Sequence, residues 1–356
     1  MRALIAMSGG VDSSVAACLM QEQGYECIGC TMKLFDNADA GISAERPCCS
    51  LEDAEDARGV ANRLGIPFYV FNYRDEFRAQ VMQRFADAYR HGLTPNPCVD
   101  CNRYLKFGRL YERARALDCD VLVTGHYARI ERAGDRFVLK KALSPDKDQS
   151  YVLYCLTQEQ LAHTAFPLGG ISKDETRAIA ASRGFLNANK SDSQDICFAP
   201  DGDYARVVEE LTGPCPPGDY VDPDGRVVGR HKGIIRYTLG QHRGLGIALG
   251  KPTYVLAIRP ETNQIVVGDN DALFSREVFV RDFNWIAGEP PAERFRCLGK
   301  LRYRHREQPA EVTVTPDGVR LVFDEPQRAV TPGQSAVLYD GDVVLGGGVI
   351  APLPQG

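Results

Sequence analysis

No apolar run in this chain approaches the roughly 18 residues that a membrane-spanning helix requires. The start of the chain also lacks a secretory layout, because Arg2 is followed by only five apolar residues, Ala3 to Met7, before a polar loop. The protein is therefore expected in the cytoplasm. Positive charge is not in excess: 42 Lys and Arg stand against 47 Asp and Glu, a net charge of −5. Any contact with RNA must then come from local basic surface. The N-terminal glycines are followed by no Gly-Lys-Ser/Thr, which excludes a Walker loop, and by no third glycine of the dinucleotide fingerprint. No second pair follows Cys98-Val99-Asp100-Cys101 at zinc-finger spacing. Internal repeats and low-complexity tracts are missing too.

What the chain has is 356 residues, 44% hydrophobic and 25% charged, enough for two or three globular domains. Its 12 cysteines, in a reducing compartment, point to thiol chemistry or metal binding rather than a disulfide scaffold. The apolar run Ala3–Met7 reads as a buried strand and Val15–Met20 as the first turns of a helix, with Ser8-Gly9-Gly10-Val11-Asp12-Ser13-Ser14 between them. Glycines let backbone approach a ligand, and a helix N-terminus offers free N–H groups and a positive dipole end, so the loop is an anion seat. The string Ser-Gly-Gly-x-Asp-Ser resembles the pyrophosphate loop (PP-loop) of the N-type ATP pyrophosphatases.

Strand and helix patterns alternate as far as about residue 200. Strands are expected at 26–32, 68–71 and 121–125, and helices at 54–64, 77–89, from about 103, at 151–161 and at 173–183. Ser50-Leu51-Glu52-Asp53 has the form of a capping box. Residues 127–130 and 137–140 flank Ala133-Gly134-Asp135 as a hairpin. Such alternation predicts a doubly wound parallel sheet with ligands at the carboxyl ends of its strands, where Ser13, Met32 and Gly125 fall. Beyond Gly213-Pro214-Cys215-Pro216-Pro217-Gly218 short alternating strands dominate, with turns at Asp224-Gly225 and Asp317-Gly318. The expected fold is thus a catalytic α/β domain at 1–204, a small β-rich domain at 205–275 and a β-barrel-like domain at 276–356.

Pro95-Asn96-Pro97-Cys98-Val99-Asp100-Cys101-Asn102 reads as an extended loop just before a helix, where the dipole favours thiolate. Either cysteine is therefore a candidate nucleophile or ligand. Lys300, Arg302, Arg304 and Arg306 are spaced by two, which on a strand puts four cations on one face. Taken alone this is a solvated face, and only the family resemblance given next implies phosphate contacts for it, extended by Arg236, His242 and Arg243.

Together, Ser8–Ser14, Asn96-Pro97-x-x-x-Cys101-Asn102, Gly125-His126-Tyr127-Ala128, Lys147-Asp148-Gln149-Ser150, Ser193-x-Asp195-Ile196-Cys197-Phe198, Arg302-Tyr303-Arg304 and Thr331-Pro332-Gly333-Gln334 resemble the tRNA-specific 2-thiouridylases. The resemblance spans essentially the whole chain. It implies replacement of the C2 oxygen of the wobble uridine, position 34, by sulfur. It implies that Ala6, Met7, Ser8, Gly9, Gly10, Val11, Asp12 and Ser13 hold ATP, completed by Met32 and Gly125. Cys101 matches the nucleophile and Cys197 the persulfide carrier. Asn96, Pro97 and Cys98 match the segment that meets the base; His126, Asp148, Gln149, Ser150, Arg302, Tyr303 and Gln334 match positions near the tRNA.

The implied substrates are tRNAs for Lys, Glu and Gln, and the implied sulfur donor is a cysteine desulfurase or relay protein. The chemistry calls for ATP and magnesium, because a C2 carbonyl becomes displaceable only once its oxygen is adenylated. Asp12 is a candidate magnesium ligand or, equally, a helix cap. Cys101 either releases the persulfide sulfur as sulfide or resolves the resulting intermediate, leaving a Cys101–Cys197 disulfide. Many relatives carry an acid where this chain has Cys98. That departure opens an alternative in which Cys98, Cys101 and Cys197 ligate three irons of a [4Fe–4S] cluster. Cys48 and Cys49 are assigned no role.

Overall fold

The computed structural model describes residues 1–36, 49–188, 190 and 196–353. Strands β1 (Arg2–Ala6), β2 (Glu26–Lys33), β3 (Phe68–Asn72) and β4 (Val121–Thr124) lie parallel. A hairpin, β5 (Ala128–Ala133) and β6 (Arg136–Lys141), then leaves the sheet before the two-residue β7 (Thr164–Ala165) rejoins it. The order is β3-β2-β1-β4-β7.

Alternation along each strand feeds two cores. Leu4 and Leu122 pack with Phe77, Phe85 and Phe107 on one face. Ala3, Ile5 and Val123 pack with Val15, Ala57 and Ala180 on the other. This is the doubly wound sheet the alternation predicts. Strand order reverses between β1 and β4, which puts a ligand crevice beyond their carboxyl ends.

A helix at Tyr204–Thr212 leads to a four-stranded sheet of β8 (Gly218–Val221), β9 (Val227–His231), β10 (Tyr254–Arg259) and β11 (Gln264–Gly268), ordered β10-β11-β8-β9. Last come β12 (Phe274–Trp285), β13 (Arg294–Lys300), β14 (Gln308–Thr315), β15 (Gly318–Arg328), β16 (Ser335–Asp340) and β17 (Val343–Ala351). Pairing of β12 with both β15 and β17 closes these six strands into a barrel. The β5–β6 hairpin extends the barrel's sheet through Val343 against Lys140, and Asp342 meets both Arg129 (2.6 Å) and Lys140 (3.3 Å). The barrel is therefore anchored to the N-terminal sheet by that sheet's own hairpin.

Four expectations change. The helix at Cys49–Leu64 starts before Ser50, so Ser50 lies inside it rather than at its cap. A single helix over 97–116, not one from residue 103, carries the Cys-x-x-Cys; Asn96 caps it and Pro97 occupies its first turn. Residues 151–161 are not one helix. Tyr151 to Leu156 are buried all round, and a Thr157–Gln160 capping box starts a separate helix at Gln158–Ala162. Barrel contacts explain this: Asn284 Nδ2 donates to the carbonyls of Tyr154 (2.6 Å) and Leu156 (2.9 Å), and the Tyr151 hydroxyl donates to Ser335 O (2.8 Å). Such bonds need backbone carbonyls that a helix would keep for itself.

The fourth change removes the basic strand. β13 ends at Lys300 and pairs Gly299 with Gln308, so 301–307 is the loop that reverses the chain into β14. Arg302, Arg304 and Arg306 therefore do not share a strand face with Lys300.

Candidate active site

At the switch point, Gly9 has φ +74, and a Cβ there would lie 2.3 Å from the Asp53 carbonyl oxygen, so only glycine fits. Gly125 approaches as closely: its Cβ would meet Ser13 N at 2.8 Å. The Ser13 hydroxyl accepts from Ser8 N–H (3.1 Å) and donates to Gly10 O (3.1 Å), which closes the loop on itself. Thr31 on β2 donates to Met7 O at 2.6 Å and fixes the loop's entry. Ala6 ends β1, Val11 opens the helix Val11–Glu22 and Met32 lies next to the last residue of β2, so these positions surround one crevice.

Asp12 neither caps a helix nor stands free for a metal. Both its carboxylate oxygens accept from Lys173 Nζ (2.7 and 2.8 Å), and Oδ1 also accepts from the Tyr127 hydroxyl (2.8 Å). As placed, this carboxylate does not fit a magnesium ligand. Lys173 is only 8% exposed in its side chain and belongs to none of the motifs named above. The signal available was the Ser172-x-x-Glu175 capping box, which marks its helix start. Asn187 was missed as well: its amide donates to Gly9 O and to Ser14 Oγ, both at 2.9 Å, and holds the loop from behind.

The thiols lie beyond this loop. Asn96 Oδ1 accepts from Cys98 N–H (3.1 Å), so its side chain is used in capping. Because the helix already begins at Pro97, the i, i+3 spacing puts Cys98 and Cys101 on one face. Cys98 and Cys197 are exposed and Cys101 half-buried, and all three are free thiols. Cys197 is held by its neighbour Phe198, which packs edge-on against Phe85 (5.2 Å) and Phe77 (5.8 Å) of the helical stretch over 74–90. Residues 189 and 191–195, and Cys48, lie outside the described residues, as does the side chain of Cys49.

Although Cys98 and Cys197 reach the surface, protein packed around their sulfurs strips away water and pushes both thiols up in pKa. Cys197 is pushed to about 12, by desolvation and then by the charges of Cys101 and Cys98. Desolvation raises Cys101 too, against the pull of Lys106. These thiols are thus protonated at neutral pH. Alkylation of Cys101 should rise about tenfold per pH unit between pH 7 and 9, read by mass spectrometry at that residue. A rate flat across that range would mean a thiolate already present at pH 7.

Among the described residues no three His, Cys, Asp or Glu side chains are gathered as a metal-binding group. Cys98, Cys101 and Cys197 as placed do not form the three-thiolate seat of the cluster alternative, and no step is derived through iron.

The positions expected near RNA divide. His126 is buried, with its Nδ1 on Thr124 Oγ1 (2.7 Å) and its Nε2 on Lys106 Nζ (3.4 Å), so its ring presents no free nitrogen. Ser150 is fully buried and donates to Asp148 Oδ2 (2.8 Å), while Asp148 Oδ1 accepts from Ala142 N–H (3.0 Å). Gln149 Oε1 accepts from Tyr127 N–H (2.9 Å). These three residues shape their own loop. Arg302 is partly buried and donates to Ala329 O (2.8 Å) and Thr331 Oγ1 (2.6 Å), bracing the turn that bears Gln334. Gln334 Nε2 in turn donates to Thr94 O (2.8 Å), immediately ahead of the cysteine helix. Tyr303 keeps 40% exposure; desolvation raises its phenol first, and the charges of Asp148 and then Cys98 raise it further. Its ring meets Tyr151 edge-on (6.0 Å) and lies beneath Lys300 Nζ (5.9 Å).

A glycine loop at a switch point, beside a helix carrying two thiols with a third opposite, defines a nucleotide-dependent enzyme with a cysteine centre. Family models described as the tRNA methyl transferase HUP domain, PRC-barrel domain and aminomethyltransferase beta-barrel domain match residues 1–201, 206–269 and 275–350. A protein of Clostridioides difficile (strain 630) named tRNA-specific 2-thiouridylase MnmA is 49% identical over 353 residues, 98% of each chain. Its namesake from Chloroflexus aggregans is 51% identical over 351 residues, again 98% of each. The chain belongs to the tRNA-specific 2-thiouridylase family.

Proposed function

We propose that this chain converts the wobble uridine of tRNA to 2-thiouridine, with cleavage of ATP to AMP and pyrophosphate. The observation that carries this reading is the placement of Cys98 and Cys101 on one helical face, with Cys197 within charge range of both and the phosphate loop at the neighbouring switch point. The α/β domain of 1–204 holds ATP and does the chemistry; the units at 205–275 and 276–356 support and extend the RNA surface. ATP enters as its magnesium complex, a substrate, because Asp12 is committed to Lys173.

The uridine C2 oxygen attacks the α-phosphorus, and pyrophosphate leaves toward the loop amides and the helix N-terminus, which stabilise its charge. A persulfide on Cys197 attacks C2 through its outer sulfur. The C2–O bond breaks, and AMP departs with the former carbonyl oxygen. Cys101 thiolate then attacks the Cys197 sulfur, and the S–S bond to the base breaks. Its electron pair leaves on the 2-thiouridine sulfur, and a Cys101–Cys197 disulfide remains for an external dithiol to reduce. Tyr303 offers a stacking face for the extruded base. The tRNAs are those for Lys, Glu and Gln, the sulfur source is a desulfurase or relay protein, and the reaction runs in the cytoplasm.

Incubation with unmodified tRNA, MgATP and a persulfide donor, followed by nucleoside analysis, should yield 2-thiouridine and AMP in equal amounts. AMP without thiouridine would overturn the reading. A second expectation concerns Gln334, which holds Thr94 O and thereby the start of the cysteine helix. Gln334→Leu should lower kcat for thiolation about tenfold with ATP affinity unchanged, since a small misplacement of reacting groups costs that much or more. A loss confined to KM for tRNA would instead make Gln334 an RNA contact.

A further inference from the structure

Lys106 belongs to none of the groups placed so far, yet it stands among all of them. It lies in a stretch of π-helix, Cys101–Leu110, inside the helix over 97–116. In an α-helix the turn above Cys101 would be filled by Tyr104 and Leu105; i→i+5 hydrogen bonding brings residue 106 there instead. Lys106 Nζ is 3.4 Å from His126 Nε2. An ammonium has only protons to give, so Nε2 accepts, and His126 is the neutral tautomer whose Nδ1–H donates to Thr124 Oγ1 at 2.7 Å. Burial holds that imidazole well below its ordinary pKa, with Lys106 as the second cause, so the ring remains an acceptor at neutral pH. His126 thus tethers Lys106 from the end of β4, one residue from the Gly125 contact with the phosphate loop.

We propose that Lys106 supplies the positive charge of the sulfur-transfer centre and that His126 is a positioning residue acting through it. This inference deepens the thiolation reading and rests on it. The centre needs a cation. Cys98, Cys101 and Cys197 are each desolvated, and where two of them face one another a charge on one disfavours a charge on the next. Lys106 is a side-chain cation that favours the charged form of all three. Negative charge is on a sulfur at every stage of the transfer: on the persulfide before attack, on Cys101 before resolution, and on the departing thiouridine sulfur afterwards. A cation one π-turn above Cys101 serves each of these without itself reacting.

The test compares Lys106→Gln, Lys106→Arg and His126→Ala with the parent enzyme, each checked for folding by thermal melt and for ATP binding by calorimetry. The first readout needs no tRNA: iodoacetamide alkylation of Cys101 at pH 7.5, quantified by mass spectrometry. Lys106→Gln should slow it about tenfold, Lys106→Arg should restore most of it, and His126→Ala should slow it in the parent enzyme but not when added to Lys106→Gln as a double variant. The second readout is single-turnover thiolation, expected to fall in parallel at unchanged tRNA affinity. Unchanged alkylation in Lys106→Gln would overturn the proposal, and so would a loss of tRNA affinity alone, which would make Lys106 a phosphate contact. Failure of the parent enzyme to thiolate tRNA at all would instead strike the reading beneath it while leaving the alkylation comparison intact.

Discussion

Cys101→Ser and Cys197→Ser are each expected to lose tRNA thiolation by at least about a thousandfold while binding ATP as the parent does. A hydroxyl is neither a persulfide carrier nor, at neutral pH, a useful nucleophile toward sulfur, so the step is removed rather than slowed. Neither side chain belongs to the phosphate seat, whose contacts run among Ser8, Gly9, Gly10, Ser13, Ser14 and Asn187. The two variants should differ in what they accumulate. Cys197→Ser cannot carry the sulfur and should leave adenylated tRNA or its hydrolysis product, AMP. Cys101→Ser should trap a disulfide between Cys197 and the uridine sulfur, visible as a reductant-labile tRNA adduct on a gel. Full thiolation by either variant with the same donor would remove that cysteine from the reaction.

How much of this was legible beforehand depends on distance along the chain. The phosphate loop, the parallel sheet and the hairpin at 128–141 follow from local signals: apolar runs, glycines with positive φ, and turn residues. The cysteine helix starts about six residues earlier than its sequence signals suggest, because two prolines and an aspartate read as loop. Pro97 in fact sits at a first helical turn, where its missing N–H costs nothing. Residues 151–161 read as one helix, but the carbonyls of Tyr154 and Leu156 are taken by Asn284, some 130 residues on, a partner that no window contains. The cations of 300–306 alternated as on a strand, and only the pairing of Gly299 with Gln308 makes them a loop. Several positions carried over as RNA contacts, Gln334 and Arg302 foremost, are engaged within the protein in holding Thr94 and Thr331. A motif shared along a family does not distinguish touching the substrate from holding the residue that does.

The Asp12–Lys173 pair gives the second large effect, because it joins stability to nucleotide binding through one bond network. Lys173 is nearly enclosed, and Asp12 is about a third exposed and also accepts from Tyr127. Removing one partner of a buried pair leaves the other charged and desolvated. Lys173→Met should therefore destabilise the protein by about 2–4 kcal/mol, discounted for the exposure of Asp12, and lower the melting temperature by roughly 5–15 °C. It should also weaken ATP binding at least about a hundredfold: the loop loses a cation, and a bare carboxylate then faces the incoming phosphates across the helix N-terminus. Asp12→Asn in the Lys173→Met background removes that carboxylate, so it should restore most of the melting temperature and part of the affinity. The pair thus acts as a unit whose single losses exceed the double one. Calorimetric melting and ATP titration of the two single variants and the double variant measure this directly. If the double variant is no more stable than Lys173→Met, Lys173 contributes packing beneath Tyr127 rather than neutralising Asp12. If ATP affinity alone recovers, the carboxylate opposes phosphate without the pair supporting the fold.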